Sequence, residues 1–382
     1  MTRWLTVALS VFSACLIPVE QSRGSLATDE GLPADAGAVV AATSVDAGNG
    51  PVHTVFSECF PAGSTHVIHQ DPQHYSSMLL DGAGKLALWS HTGPPWNPIK
   101  RVIDFDGTVL STVVLENTHE NIGLGAVAND GRGLTLIFGG NIGNQQLEVT
   151  YVRDGWTKEF RPAHNASDWT SHDLAFNPAR DEFALFWNSE GRIAMQTRST
   201  DGGVGNTSIV ATDFLGRPTA IAWTPDRYVV LGLSTAYSVS ADGTLNGQLE
   251  LPGTGRTVAT DLGSRAGVTV HGFDGGSLAF TELSGTQGSM TARTYQLLDH
   301  VMESAADALW DPVAGAWRVV FAPRLAGPLS LATITPAGSI TVTPLGCSVV
   351  SDEVRLVLSG RSLFILSYTW AVPASSVLRV DL

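Results

Sequence analysis

The side chains best suited to acid–base or metal chemistry stand ahead of short apolar runs. His66, His69, Asp71 and His74 share one stretch, and His119-Glu120, His172-Asp173, Asp307 and Asp352-Glu353 each precede another run. Imidazole with carboxylate suits Zn²⁺, whereas an all-oxygen set suits Ca²⁺. His66-x₂-His69-x₄-His74 matches no defined zinc spacing, and Pro72 makes that stretch a loop. The same groups read equally well as polar residues on solvated loops, bonded to neighbouring strands. The ligand-binding set expected from this pattern is His74, His119, His172, Asp173, Asp307 and Asp352. No cofactor is called for, although the set would admit a divalent metal.

Other chemistries find little footing. There is no Gly-x-Ser-x-Gly elbow, and no positioned partner marks any serine as a nucleophile. Gly139-Gly140 follows an apolar run but opens no helix that could hold a phosphate, so it reads as a turn. Trp96, in Gly93-Pro94-Pro95-Trp96-Asn97-Pro98, is the tryptophan expected to be most exposed, and it joins the ligand-binding set as an anchor for a protein or glycan. Trp89, Trp187, Trp223, Trp310 and Trp317 recur within strands or turns and are expected to pack between repeats.

A repeated scaffold must position these groups. Tight turns fall at Gly82, Gly131, Pro178, Pro225, Arg265, Pro312 and Gly360, spaced 49, 47, 47, 40, 47 and 48 residues apart. A second series, at Gly107, Gly155, Gly202, Gly243, Gly285 and Gly338, interleaves with the first. Between them lie runs such as Leu86-Ala87-Leu88-Trp89, Phe183-Ala184-Leu185-Phe186-Trp187 and Trp317-Arg318-Val319-Val320-Phe321, which are β-rich and too short for helices. Two hairpins per repeat, with a period near 46 residues, predict an all-β, seven-bladed β-propeller of four-stranded antiparallel blades. The seventh repeat lacks a fourth strand. An N-terminal strand is expected to supply it and close the ring, and His53-Thr54-Val55-Phe56 is the candidate. Cys59 and Cys347 each stand nine residues after a glycine, Gly50 and Gly338, so both are placed just beyond outer strands of successive blades. They read as a disulfide, with two free thiols as the alternative.

The start of the chain has a different character. Arg3 and the apolar run Trp4 to Phe12 read as an export signal, too short to span a bilayer. Phe12-Ser13-Ala14-Cys15 resembles a bacterial lipobox, although Phe12 stands where an aliphatic residue is usual. The resemblance implies lipidation of Cys15. With Leu16 rather than Asp after the cysteine, it also implies outer-membrane anchoring. Ordinary cleavage near Ser25 is the alternative, leaving a periplasmic or secreted protein. The resulting organisation is 1–14 signal peptide, 15–50 flexible tether poor in large apolar residues, and 51–382 propeller.

Over 51–382 the chain resembles bacterial propeller lipoproteins in general, without the repeat signatures of the WD, kelch or sialidase kinds. With 22 Lys and Arg against 36 Asp and Glu, the net charge of −14 disfavours nucleic acid, and the lipid is the only membrane contact expected. The expected role is a binding or scaffold module for a protein or glycan of the cell envelope. The alternative is a channel-mouth hydrolase or lyase acting on a glycan or small ester, metal-assisted or not.

Overall fold

The computed structural model describes residues 56–59, 65–71, 73, 75–91, 97–115, 126–141, 146–153, 156–160, 168–189, 191–211, 220–261, 263–272, 277–285, 289–298, 304–323, 327–349, 353–369 and 374–382. All of them belong to one compact unit, Val52–Leu382. The expected signal peptide, the expected lipidation site Cys15 and the expected tether lie outside the described residues. Among the described residues no helix is long and apolar enough to cross a membrane.

The domain is a seven-bladed β-propeller of antiparallel sheets. Blades one to six run over 75–114, 126–160, 168–211, 220–250, 254–298 and 304–349, each with four consecutive strands. Blade seven holds Glu353–Ser359, Ser362–Thr369 and Ala374–Asp381, and takes its outer strand, Thr65–Asp71, from ahead of blade one. The first strands touch one another in cyclic order, from Tyr75–Leu80 of blade one round to Glu353–Ser359 of blade seven and back. First strands are therefore innermost, and the second strands carry the core. In blade three, Phe183, Ala184, Leu185, Phe186 and Trp187 are all fully buried, alternating between the blade on either side. Burial on both faces explains why these runs are continuously apolar rather than alternating.

Tryptophans occupy the gaps between blades, as the repeat positions imply. Trp89 packs with Ile137 and Val152 of blade two, Trp187 with Leu136 and Phe138 of blade two, and Trp317 with Phe280 of blade five. Gly267 is required at the last of these joints. A Cβ there would sit 2.4 Å from the Phe280 ring and 3.1 Å from Trp317.

The ring is closed by an N-terminal strand, but not by His53–Phe56. Thr65–Asp71 pairs antiparallel with Ala374–Asp381, bringing Thr65 opposite Val380 and Asp71 opposite Ser375. Phe56–Cys59 instead adds a fifth strand to the outer edge of blade six, where Cys59 lies directly opposite Cys347. The two cysteines are thus brought together by direct strand pairing, rather than by equivalent positions on neighbouring blades. The seam is fastened at the rim. Asp71 is ion-paired with Arg101, accepts from the Tyr75 hydroxyl at 3.2 Å and from the Gln73 amide at 2.7 Å, while the Tyr75 amide donates to Ser375 Oγ at 2.8 Å. Phe105 stacks on Phe364 across the same joint at 4.8 Å. Gly107, at φ +90°, faces the Ile68 carbonyl so closely that no side chain would fit.

Candidate functional site

Counting four residues back from the closing pair of each first hairpin reaches one level of the inner strands. That level holds Asp173, Ala220, Asp307 and Arg355 in blades three, four, six and seven, while in blades one and five a bulge sets Ser76 and Arg256 out of the ladder. Two carboxylates and the Arg355 guanidinium therefore share a belt around the axis. Because side chains on an inner strand alternate between the channel and the blade interior, a charge at this level is forced to find partners in neighbouring blades.

The carboxylates do so identically. Asp173 Oδ1 accepts from the Leu174 amide at 2.8 Å, and Oδ2 accepts from the Ile221 amide of blade four at 2.7 Å. Asp307 Oδ1 accepts from the Ala308 amide at 2.9 Å, and Oδ2 accepts from the Leu356 amide of blade seven at 2.9 Å. Each side chain clamps its own inner strand to the next. Asp307 also meets the Thr257 hydroxyl of blade five, so it ties together three blades. Arg355 balances both acids, with Glu353 as its closest counter-charge and the Val354 carbonyl as a further acceptor at 3.0 Å.

Burial dominates the titration of these groups. It pushes the Asp173 carboxyl up to about 7, against the opposing pull of the Leu174 and Ile221 amides and the Arg355 charge. Asp307 is pushed up to about 6 for the same reason, opposed first by Arg355 and then by its amide donors. Protein surrounds both acids closely, yet neither is wholly shut off from water. Nearby on blade five, burial and then Arg256 hold the His271 imidazole down to about 4, so it is neutral at physiological pH. A carboxyl that titrates near neutrality is suited to proton transfer. Here, however, the oxygens that would transfer it are held by backbone amides.

Solved structures share this architecture at low identity. The Neurospora crassa Pan2 WD40 domain matches at a TM-score of 0.57 with 10% identity, covering 83% of this chain and 95% of that one. The Pseudomonas aeruginosa periplasmic gluconolactonase PpgL matches at 0.55 and 13%, covering 78% and 96%. A putative 6-phosphogluconolactonase from Bacteroides fragilis matches at 0.52 and 12%, covering 83% and 95%. The likeness is one of fold. No family model matches the chain, and no curated protein matches it either.

Of the expected ligand set, Asp173 and Asp307 converge on the belt. His172 lies on the same strand as Asp173, and its ring meets Phe138 of blade two edge-on at 5.1 Å. His74, His119, Asp352 and Trp96 lie outside the described residues. His66, His69 and Asp71 do not approach the channel mouth, since they belong to the outer strand of blade seven. Burial, then the Arg101 charge, lowers the His69 pKa, which suits a neutral ring in the seam. Among the described residues no group of three or more His, Cys, Asp or Glu could hold a metal ion. Sequence reasoning missed Arg355. Aligning the repeats on their first turns would have found it, because Arg355 stands five residues ahead of Gly360 as Asp173 does of Pro178 and Asp307 of Pro312.

Proposed function

We propose that the chain is an exported lipoprotein, anchored through Cys15, whose propeller is a binding or scaffold module for a protein or glycan of the cell envelope. The observation that carries this reading is the commitment of Asp173 and Asp307. Both oxygens of each accept backbone amides, so the strongest acid–base candidates hold the ring together. A rigid ring with an anchor and a tether suits a platform that presents surface. Capture of the anchored protein from its native envelope should bring one reproducible partner. Cys15→Ser should move the chain from the membrane to the soluble fraction, and an unchanged distribution would refute the anchor.

The pairing of Cys59 with Cys347 supports a disulfide in an oxidising compartment. Directly opposed residues of an antiparallel ladder have Cα atoms about 4.5–5.5 Å apart, inside the range a disulfide bridges. Thiol titration of the unfolded, unreduced protein should find neither cysteine reactive.

A second reading is favoured by the near-neutral Asp173 and Asp307 carboxyls and by the lactonase-type neighbours of the same fold. In it the channel hydrolyses a small cyclic ester, with one of these acids moving the proton. Hydrolysis of glucono-δ-lactone above the spontaneous rate, lost in a folded Asp307→Asn variant, would establish it over the binding module.

A further inference from the structure

We propose that the joint between blades four and five binds a small monovalent anion, chloride, against the guanidinium of Arg227. Arg227 opens the second strand of blade four, Arg227–Leu231, and is fully buried. Its Nη2 donates to the Ser264 carbonyl of blade five at 3.3 Å, so the side chain lies across the joint. Its Nε and Nη1 are buried as well, and neither has a hydrogen-bond partner. Among the described residues no carboxylate ion-pairs with it. A guanidinium stays charged at every pH the fold experiences, so losing a proton cannot relieve its burial. One carbonyl dipole does not balance a full charge taken out of water. The acids nearest along the chain are engaged elsewhere. Asp226 accepts from the Thr224 hydroxyl at 2.8 Å, Asp242 is held by the Ser240 hydroxyl and by the Thr244 amide at 3.0 Å, and Asp261 pairs with Arg265 at 2.7 Å. Blade six shows the usual solution for an enclosed arginine. There Asp311 Oδ2 takes Nε and Nη2 of Arg318 at 3.0 and 2.8 Å.

The same sheet face supplies a second donor. Val229 stands opposite Ser238 in the ladder, and side chains two residues apart share a face, so Arg227, Val229 and Ser238 all turn toward blade five. Val229 confirms the direction, since it packs in the apolar cluster with Ala266, Val268 and Leu283 of that blade. Ser238 is fully buried, and its hydroxyl has no partner either. On its other side the ladder places Gly247 opposite it, so no third side chain stands in that row. A cationic and a neutral donor, both buried, facing one way and lacking an acceptor, form the donor set of an anion site. The surrounding lining of Val229, Ala266 and Leu283 is apolar, which favours a singly charged ion over sulfate or phosphate, whose dehydration costs far more. Bound there, the anion gives blade four's cation the counter-charge that Asp311 gives Arg318. This inference adds to the binding role but does not depend on it.

Thermal melting of the full chain tests this at fixed ionic strength, with chloride replacing isethionate up to about 0.3 M. The melting temperature should rise by about 2 °C and then level off, as a single saturable site requires. Arg227→Met keeps the bulk of the side chain and removes its charge. That variant should melt above the native chain when chloride is absent, and should not respond when chloride is added. Native crystals soaked in bromide should show an anomalous peak beside Arg227 Nε and Ser238 Oγ. A native melting temperature indifferent to chloride would overturn the proposal. So would an equal response in Arg227→Met, since the ion would then act elsewhere. A bromide map with no peak at Arg227 would do the same, even if the variant failed to fold.

Discussion

The joint between blades six and seven and the joint between blades seven and one solve the same problem differently. At the first, the chain runs on from one blade to the next, and a single inner-strand carboxylate, Asp307, ties the two together from the axis. At the second, the chain likewise runs on from Thr65–Asp71 into Tyr75–Leu80, but Thr65–Asp71 belongs to blade seven only through its pairing with Ala374–Asp381. The join is made at the rim, by a borrowed strand whose Asp71 is gripped by Arg101, Tyr75 and Gln73. Both acids are largely enclosed and both are fully partnered, Asp307 by two backbone amides, the Thr257 side chain and Arg355, and Asp71 by Arg101, the Tyr75 hydroxyl and the Gln73 amide.

The most damaging way to break this contrast is to remove residues 65–71. Blade seven would keep three strands and expose the edge of Ala374–Asp381, so the ring should not reach a cooperative native state. Loss of a sharp thermal transition is the readout. Asp307→Ala comes next. It strands the Ala308 and Leu356 amides and deprives Arg355 of a counter-charge, which should cost about 2–4 kcal/mol. Asp71→Ala, at the seam, should cost about 1–2 kcal/mol in urea unfolding. If Asp71→Ala proved the more costly of the two, the axis would not be the stronger fastening.

A subtler test uses pH. The folded carboxyls of Asp173 and Asp307 titrate at about 7 and about 6, above the unfolded value. Between about pH 4 and 7 the folded ring therefore holds protons the unfolded chain has released. The resulting stabilisation is complete in acid and is lost as pH rises through the folded values. His271 acts in the opposite sense. Its folded pKa, down at about 4, gives stability that is present above its unfolded value and lost as pH falls. The total curve mixes the two, so the informative quantity is a difference. The melting-temperature gap between the native chain and Asp173→Ala should be wider at pH 5 than at pH 8. An equal gap would mean that burial does not shift that carboxyl.

Blade number, strand count and the inter-blade tryptophans were legible because second strands are buried on both faces and turns demand particular residues. The closing strand was misplaced for a physical reason. Thr-His-Val-Ile-His-Gln-Asp lies at the outside of blade seven, where only part of each side chain is covered, so its polar residues read as a loop. The more apolar segment around Phe56 looked like the better strand, and it does pair, but on blade six. Asp173 and Asp307 were visible as ionisable residues ahead of apolar runs. Their partners were not, because backbone amides of another blade leave no mark in side-chain composition.

The borrowed strand also has a consequence for the order of events in the making of the molecule. Residues 65–71 emerge from the ribosome before any blade has formed, and their mate, Ala374–Asp381, emerges after all the others. Every intermediate length of chain is thus a horseshoe with two sticky ends, slow to close because the contact spans nearly the whole domain. Those ends have to stay apart, and clear of other chains, until the final strand arrives.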